Sequence, residues 1–237
     1  MKKTYTLNLG LLIVLMVLTT FVNGQTVYTF TNATATQNIG PTQANVTAAY
    51  AGTNLAGSVT AIGGIQYWIV PASGNYSIEG YGGQGYGNFG GKGAHIYGEF
   101  ALVAGDTLKI LVGQKGGDYL NWPATTYNHQ FGGGGGSFIT EMDNTPLIVA
   151  GGGGGNHGAS FVATSHGQIT TAGAAGSNGT GIGAGGTLGN GGAVGSTSAD
   201  GGGGLLGDGL GIAGGKSFVN GGLGGIDEGT GGFGGGG

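Results

Sequence analysis

From Gly151 to Gly237 nearly half of the residues are glycine, several times the average share of about 7%. Glycine loses more backbone freedom on ordering than any other residue, and each fixed residue costs about 1–2 kcal/mol. Such a block folds only if the missing side chains let backbones touch; otherwise it is a disordered low-complexity tail. Several features favour close backbone packing. Proline is absent after Pro146, which excludes a collagen repeat. Glycine nevertheless recurs at every third position in patches: Gly173, Gly176 and Gly179; Gly183, Gly186, Gly189, Gly192 and Gly195; Gly201, Gly204 and Gly207. That period matches an extended left-handed helix with three residues per turn, which makes no internal hydrogen bonds and must find partners in neighbours. Gly186, Gly189 and Gly192 are expected inside such a bundle. Apolar residues also punctuate the block, among them Leu205, Leu206, Phe218, Val219 and Phe233. A flexible linker has little use for them.

Only 7% of the 237 residues are charged, and the formal net charge is −4. Nucleic acid and anionic lipid need basic clusters that are missing here. Lys2 and Lys3, the apolar run Leu9–Leu18 and Val22-Asn23-Gly24 read as a signal peptide over residues 1–24. The run is shorter than the ~20 residues of a membrane span. Export is therefore expected, with no span in the remaining chain. There is no cysteine, so burial and backbone pairing must supply stability without disulfides.

Thr26–Thr31 alternates apolar and polar residues and predicts a first strand, whereas 31–64 reads as loop with short ordered pieces. Further strands are expected at Ile65–Val70, Asn75–Gly80, His95–Leu102, Thr107–Val112, Ser137–Thr140 and Leu147–Ala150. Trp68, Ile78, Phe100, Leu108, Ile110 and Val112 are the expected core. No window after the leader shows a helical period over helical length. The pattern predicts an all-β fold: a jelly-roll sandwich over 25–150 with glycine-rich insertions, then a glycine helix bundle over 151–237.

The ordered motifs GPTQANVTAAY (Gly40–Tyr50), GIQYWIVPASGNYSIEGYGGQG (Gly64–Gly85), GEFALVAGDTLKILVGQKGGD (Gly98–Asp118), FGGGGGSFI (Phe131–Ile139) and PLIVAGGGGG (Pro146–Gly155) resemble the extracellular glycine-rich region of the anaplastic lymphoma kinase and leukocyte tyrosine kinase receptors. WIVPASGNYSI also resembles the strand–turn–strand of jelly rolls related to tumour necrosis factor and C1q. The resemblance implies a sandwich combined with polyglycine helices that presents a surface to protein ligands outside the cell. The chain departs from the receptors in lacking cysteine, in a short loop between Gly117 and Phe131, and in stopping within a glycine run. A membrane span or kinase would lie beyond Gly237.

Motifs with chemistry are weak. Gly85–Gly90 fits G-x-G-x-x-G, a chance match in a chain with 64 glycines. Gly214-Gly215-Lys216-Ser217 would need a glycine where Leu210 stands, so it is not a phosphate loop. Gly221–Asp227 places its aspartate one residue late for a calcium β-roll. His95, His129, His157 and His166 lack zinc-ligand spacing, and Glu79, Glu99, Asp106 and Asp118 form no pair that sequence can align. No catalytic residue, cofactor or metal is expected, and no ligand-binding residue is assigned. The expected role is an exported non-catalytic binding or adhesion module for a protein or glycan. A structural surface protein or rigid spacer is the alternative, with polysaccharide or ice binding ranked lower.

Overall fold

The computed structural model describes residues 25–87, 89–118, 131–155, 166–175, 183–195, 200–226 and 229–237. Among the described residues the fold is all-β with one short α-helix and one 3-10 turn at Phe218–Asn220. In chain order the elements are α1 (Gln43–Ala49), β1 (Val59–Ile62), β2 (Ile65–Ile69), β3 (Gly74–Tyr81), β4 (His95–Leu102), β5 (Thr107–Leu111), β6 (Ser137–Thr140) and β7 (Pro146–Ala150). Five strands form one antiparallel sheet in the order β1-β2-β5-β6-β7, and β3 pairs β4 in a second. Among the described residues the strands thus divide five and two.

The larger sheet is covered on both faces. On one side Trp68, Leu108, Ile110, Ile139 and Ile148 form a core with Val46 of α1, and Ile78, Ile96 and Phe100 of the β3–β4 ribbon pack against it. Trp68, Leu108 and Ile110 are buried, while Ile78, Phe100 and Val112 are half-buried at its margin. On the other side Ile65, Leu111 and Phe138 meet Leu205, Phe218 and Phe233 from the glycine block. Lys109 crosses this second core with Nζ 5.4 Å from the Phe218 ring centroid and bonded to Asn144. Burial lowers its pKa, against the raising influence of nearby Asp143.

Thr26–Thr31 is not a strand. Its alternation is real: Tyr28 and Phe30 turn inward, with ring centroids 4.8 and 5.7 Å from Trp68. The backbone, however, is held by side chains. Asn54 Nδ2 donates to Val27 O, the Thr31 N–H donates to Tyr50 Oη, and Gln66 Nε2 donates to Thr31 O. Tyr50 Oη donates in turn to Gln66 Oε1 at 2.6 Å, so fully buried Gln66 is satisfied. Alternation reports which side chains face inward and is silent on what pairs the backbone. The stretch 31–64 holds α1, opened by a reciprocal Thr42–Asn45 capping box. Gln43 on that helix donates to Val59 O and accepts from the Ala61 N–H, covering the edge of β1.

Apart from one 3-10 turn at Phe218–Asn220, the described glycine segments bond sideways to one another. Gly132–Gly136 lies at the centre. Its five successive N–H groups donate to Gly117, Gly237, Gly153, Gln114 and Gly234 in turn. The first and fourth therefore reach one neighbouring segment, the second and fifth another. Gly135 O and Gly132 O accept from Gly83 N and Tyr86 N, again three residues apart on both sides. Bonding partners along this segment thus recur at every third residue. Spacing is too tight for side chains: a Cβ on Gly135 would lie 1.8 Å from Phe233 O, and one on Gly152 1.9 Å from Gly134 O. Gly186 is equally closed, at 2.0 Å from Asn190 O. Gly189 sits at a turn with φ +84°. Gly192 breaks the expectation, because its nearest neighbour, Ala184 O, is 3.4 Å away and a methyl group fits.

Candidate ligand-binding face

The β3–β4 ribbon is eight residues long on each strand, and its side chains alternate without interruption. Tyr76, Ile78, Ile96 and Phe100 point to the sheet. Glycines on that inner side let the ribbon sit close: a methyl group at Gly80 would fall 2.7 Å from Ile148 Cγ2. The outer side carries Asn75, Ser77, Glu79 and Tyr81 opposite Ala101, Glu99, Tyr97 and His95.

These outer residues are organised among themselves. Tyr81 Oη donates to Glu79 Oε2 at 2.9 Å, and His95 Nε2 lies 3.5 Å from the same oxygen. The Tyr81 and His95 rings stack at 4.3 Å with 5° between their planes. Tyr97 Oη donates to Glu99 Oε1 at 2.6 Å and comes within 3.3 Å of Ser77 Oγ. The hydrogen bond to Glu79 raises the pKa of the Tyr81 phenol. Tyr81 and Tyr97 remain 58% and 53% exposed. The face therefore presents two carboxylates and three flat rings without a lysine or arginine among them. Such a surface attracts ammonium or guanidinium groups through charge and through the rings.

The remaining sequence candidates are dispersed. His129, His157 and Asp227 lie outside the described residues. His166 Nδ1 accepts the Lys92 N–H, and Asp106 accepts the Val103 N–H in a turn. In the Gly85–Gly90 motif, Gly85 N and Gly90 N are bonded to Gly91 O and Gly87 O, and a Cβ at Gly85 would meet Gly154 O at 2.0 Å. Ser217 of the failed phosphate loop is an anchor instead. Its N–H and Oγ donate to Asp208 Oδ1, which also accepts from Asn220, while Lys216 holds Oδ2 at 3.0 Å. Bonding to the Ser217 N–H, then to Asn220, holds the Asp208 pKa well below the usual carboxylate range. Among the described residues no three His, Cys, Asp or Glu side chains gather as a metal site. Sequence reading named Glu79, Glu99 and His95 without bringing them together. The register Tyr81↔His95 was the missing fact, and alternation in both strands its available half.

Fold and face define an all-β protein that carries an organised aromatic and acidic surface on a glycine-supported scaffold. No protein-family model matches the chain. The leukocyte tyrosine kinase receptor of Mus musculus is 36% identical over 104 residues, which cover 38% of this chain and 11% of that receptor. This supports a distant relationship to that receptor family. The chain thus spans about a tenth of the receptor's length. No helix among the described residues is long and apolar enough to cross a membrane.

Proposed function

We infer that the chain is an exported, non-catalytic binding module whose outer β3–β4 face engages an extracellular protein through cationic side chains. The observation that carries this reading is the acidic and aromatic face itself, with Glu79 and Glu99 each held by a tyrosine hydroxyl. The relationship to a receptor family and the leader over 1–24 agree with it. The test is titration of the mature chain with an arginine-rich peptide at low and high salt. Binding should weaken with salt, since exposed charges are screened beyond ~10 Å at 0.1 M. Glu79→Gln with Glu99→Gln should lower affinity at least about tenfold, or ~1.4 kcal/mol. Equal binding by this variant overturns the proposal.

A further inference from the structure

The β3–β4 ribbon is a sheet of two strands, so each strand has one edge without a ladder partner. The register decides which backbone groups face those edges. Gly82 N donates to Ala94 O one step beyond the pair Tyr81↔His95. Bonded and non-bonded pairs alternate along an antiparallel ladder. The pairs Gly80↔Ile96, Ile78↔Gly98 and Tyr76↔Phe100 therefore exchange the ladder bonds. Tyr97, Glu99 and Ala101 turn their N–H and C=O groups outward from β4. On β3 the same alternation turns Tyr81 O outward, where Ser137 Oγ donates to it at 2.6 Å.

The two edges differ in what covers them. β3 packs over β6 and β7 with Tyr76 beside Trp68, while β4 packs over β7, the last strand of the larger sheet. The outer edge of β4 therefore faces away from the core. Among the described residues nothing bonds the outward N–H and C=O groups of Tyr97, Glu99 and Ala101. Exposed edges are commonly blunted by proline, lysine or a bulge. The sequence HIYGEFAL has neither proline nor lysine, and its pairing with β3 runs without a shift over eight pairs. By contrast, Gln43 covers the edge of β1.

The flanking side chains select the strand that fits this edge. On an added strand, residues opposite Tyr97 and Glu99 lie on the outer side. There Glu79 and Glu99 supply negative charge, and Tyr81, Tyr97 and His95 supply rings. The residue between them lies opposite Gly98 on the inner side, beside half-buried Ile96 and Phe100. Cationic side chains at alternate positions, with apolar ones between, match both sides. A second copy of β4 matches poorly, because it brings further carboxylates to this face and neither ribbon strand holds a lysine or arginine. We propose that the partner of this face binds as an added antiparallel strand, an extended segment with arginine or lysine at every second position whose backbone pairs with the outer edge of β4. This rests on the cationic-partner reading of the same face.

The test titrates ¹⁵N-labelled mature chain with the end-blocked peptide Arg-Val-Arg-Val-Arg-Val and with its isomer Arg-Arg-Arg-Val-Val-Val. The alternating peptide should bind at least about tenfold more tightly. Amide exchange at Tyr97, Glu99 and Ala101 should slow on binding, while Ile96, Gly98 and Phe100, already bonded to β3, stay as they were. In the added strand the arginine N–H groups face β4 and the valine N–H groups face away. N-methylation of the arginine amides should therefore weaken binding at least about tenfold, and N-methylation of the valine amides should not. The two readings fail separately. Equal affinity of the isomers, or equal effects of the two methylation patterns, with binding still lost in Glu79→Gln with Glu99→Gln, overturns strand addition and leaves the charged face standing. Methylation-sensitive binding that the glutamine variant retains in full overturns the charged face and supports strand addition. No binding of either peptide overturns both. Slow exchange at Tyr97 and Glu99 in a peptide-free chain that sediments as a dimer assigns the edge to a second copy and overturns the proposal.

Discussion

At the scale of single residues, the scaffold distinguishes glycines by what lies behind them. Gly135→Ala would place a methyl group 1.8 Å from Phe233 O, whereas Gly192→Ala meets nothing closer than 3.4 Å. The first must push neighbouring segments apart and leave buried groups unpaired, at about 1–3 kcal/mol each. The second should be neutral or stabilising by ~0.4–1 kcal/mol through the unfolded chain. Thermal melts of the two variants should therefore move in opposite directions or by clearly different amounts. Asp208 is a polar anchor that accepts from Ser217, Asn220 and Lys216. Its carboxylate pKa is lowered in the fold, so its contribution is present above about pH 4, where the unfolded chain ionises, and is lost as pH falls below that value. Asp208→Asn should cost about 1–3 kcal/mol at pH 7, and the gap to the parent chain should close in acid. A gap independent of pH would show that the charge is not what anchors Ser217 and Asn220.

At the scale of elements, the five-stranded sheet is stable only because both of its faces are covered. Ile110→Ala opens the core beneath the ribbon and should cost about 2–5 kcal/mol. Phe218→Ala, far along the glycine block, should cost about 3–5 kcal/mol, because its ring lies 5.4 Å from that of Phe138 on β6. A chemical-denaturation midpoint unchanged by Phe218→Ala would separate the block from the sheet. Strands β2 to β7 were legible because their apolar residues alternate or run together between turns. The amino-terminal TVYTFT has the same alternation and forms no ladder, since Tyr50, Asn54 and Gln66 bind its backbone instead. Helix α1 was missed because seven residues are too few to display a period, although Thr42 and Asn45 carried its cap.

At the scale of the whole molecule, glycine segments from distant stretches of the chain meet around Gly132–Gly136. Amides in this centre should exchange with solvent only in global unfolding, and their protection should vanish in the same transition that exposes Trp68. Early exchange at Gly133–Gly135 while Trp68 fluorescence stays native would refute a shared core. Mass spectrometry of secreted material should begin at Gln25; an intact Met1 would refute export by the leader. By itself the sequence determined the all-β class, the strands from Ile65 onward and the three-residue glycine period, because these follow from local alternation and from side chains that are absent. Tertiary structure alone decided which glycines are obligatory, since the distance behind Gly135 or Gly192 depends on a segment distant in the chain. It also decided which outer residues share a face. Tyr81 and His95 stack only in the antiparallel register of β3 and β4, and a one-residue slip would have placed them on opposite sides.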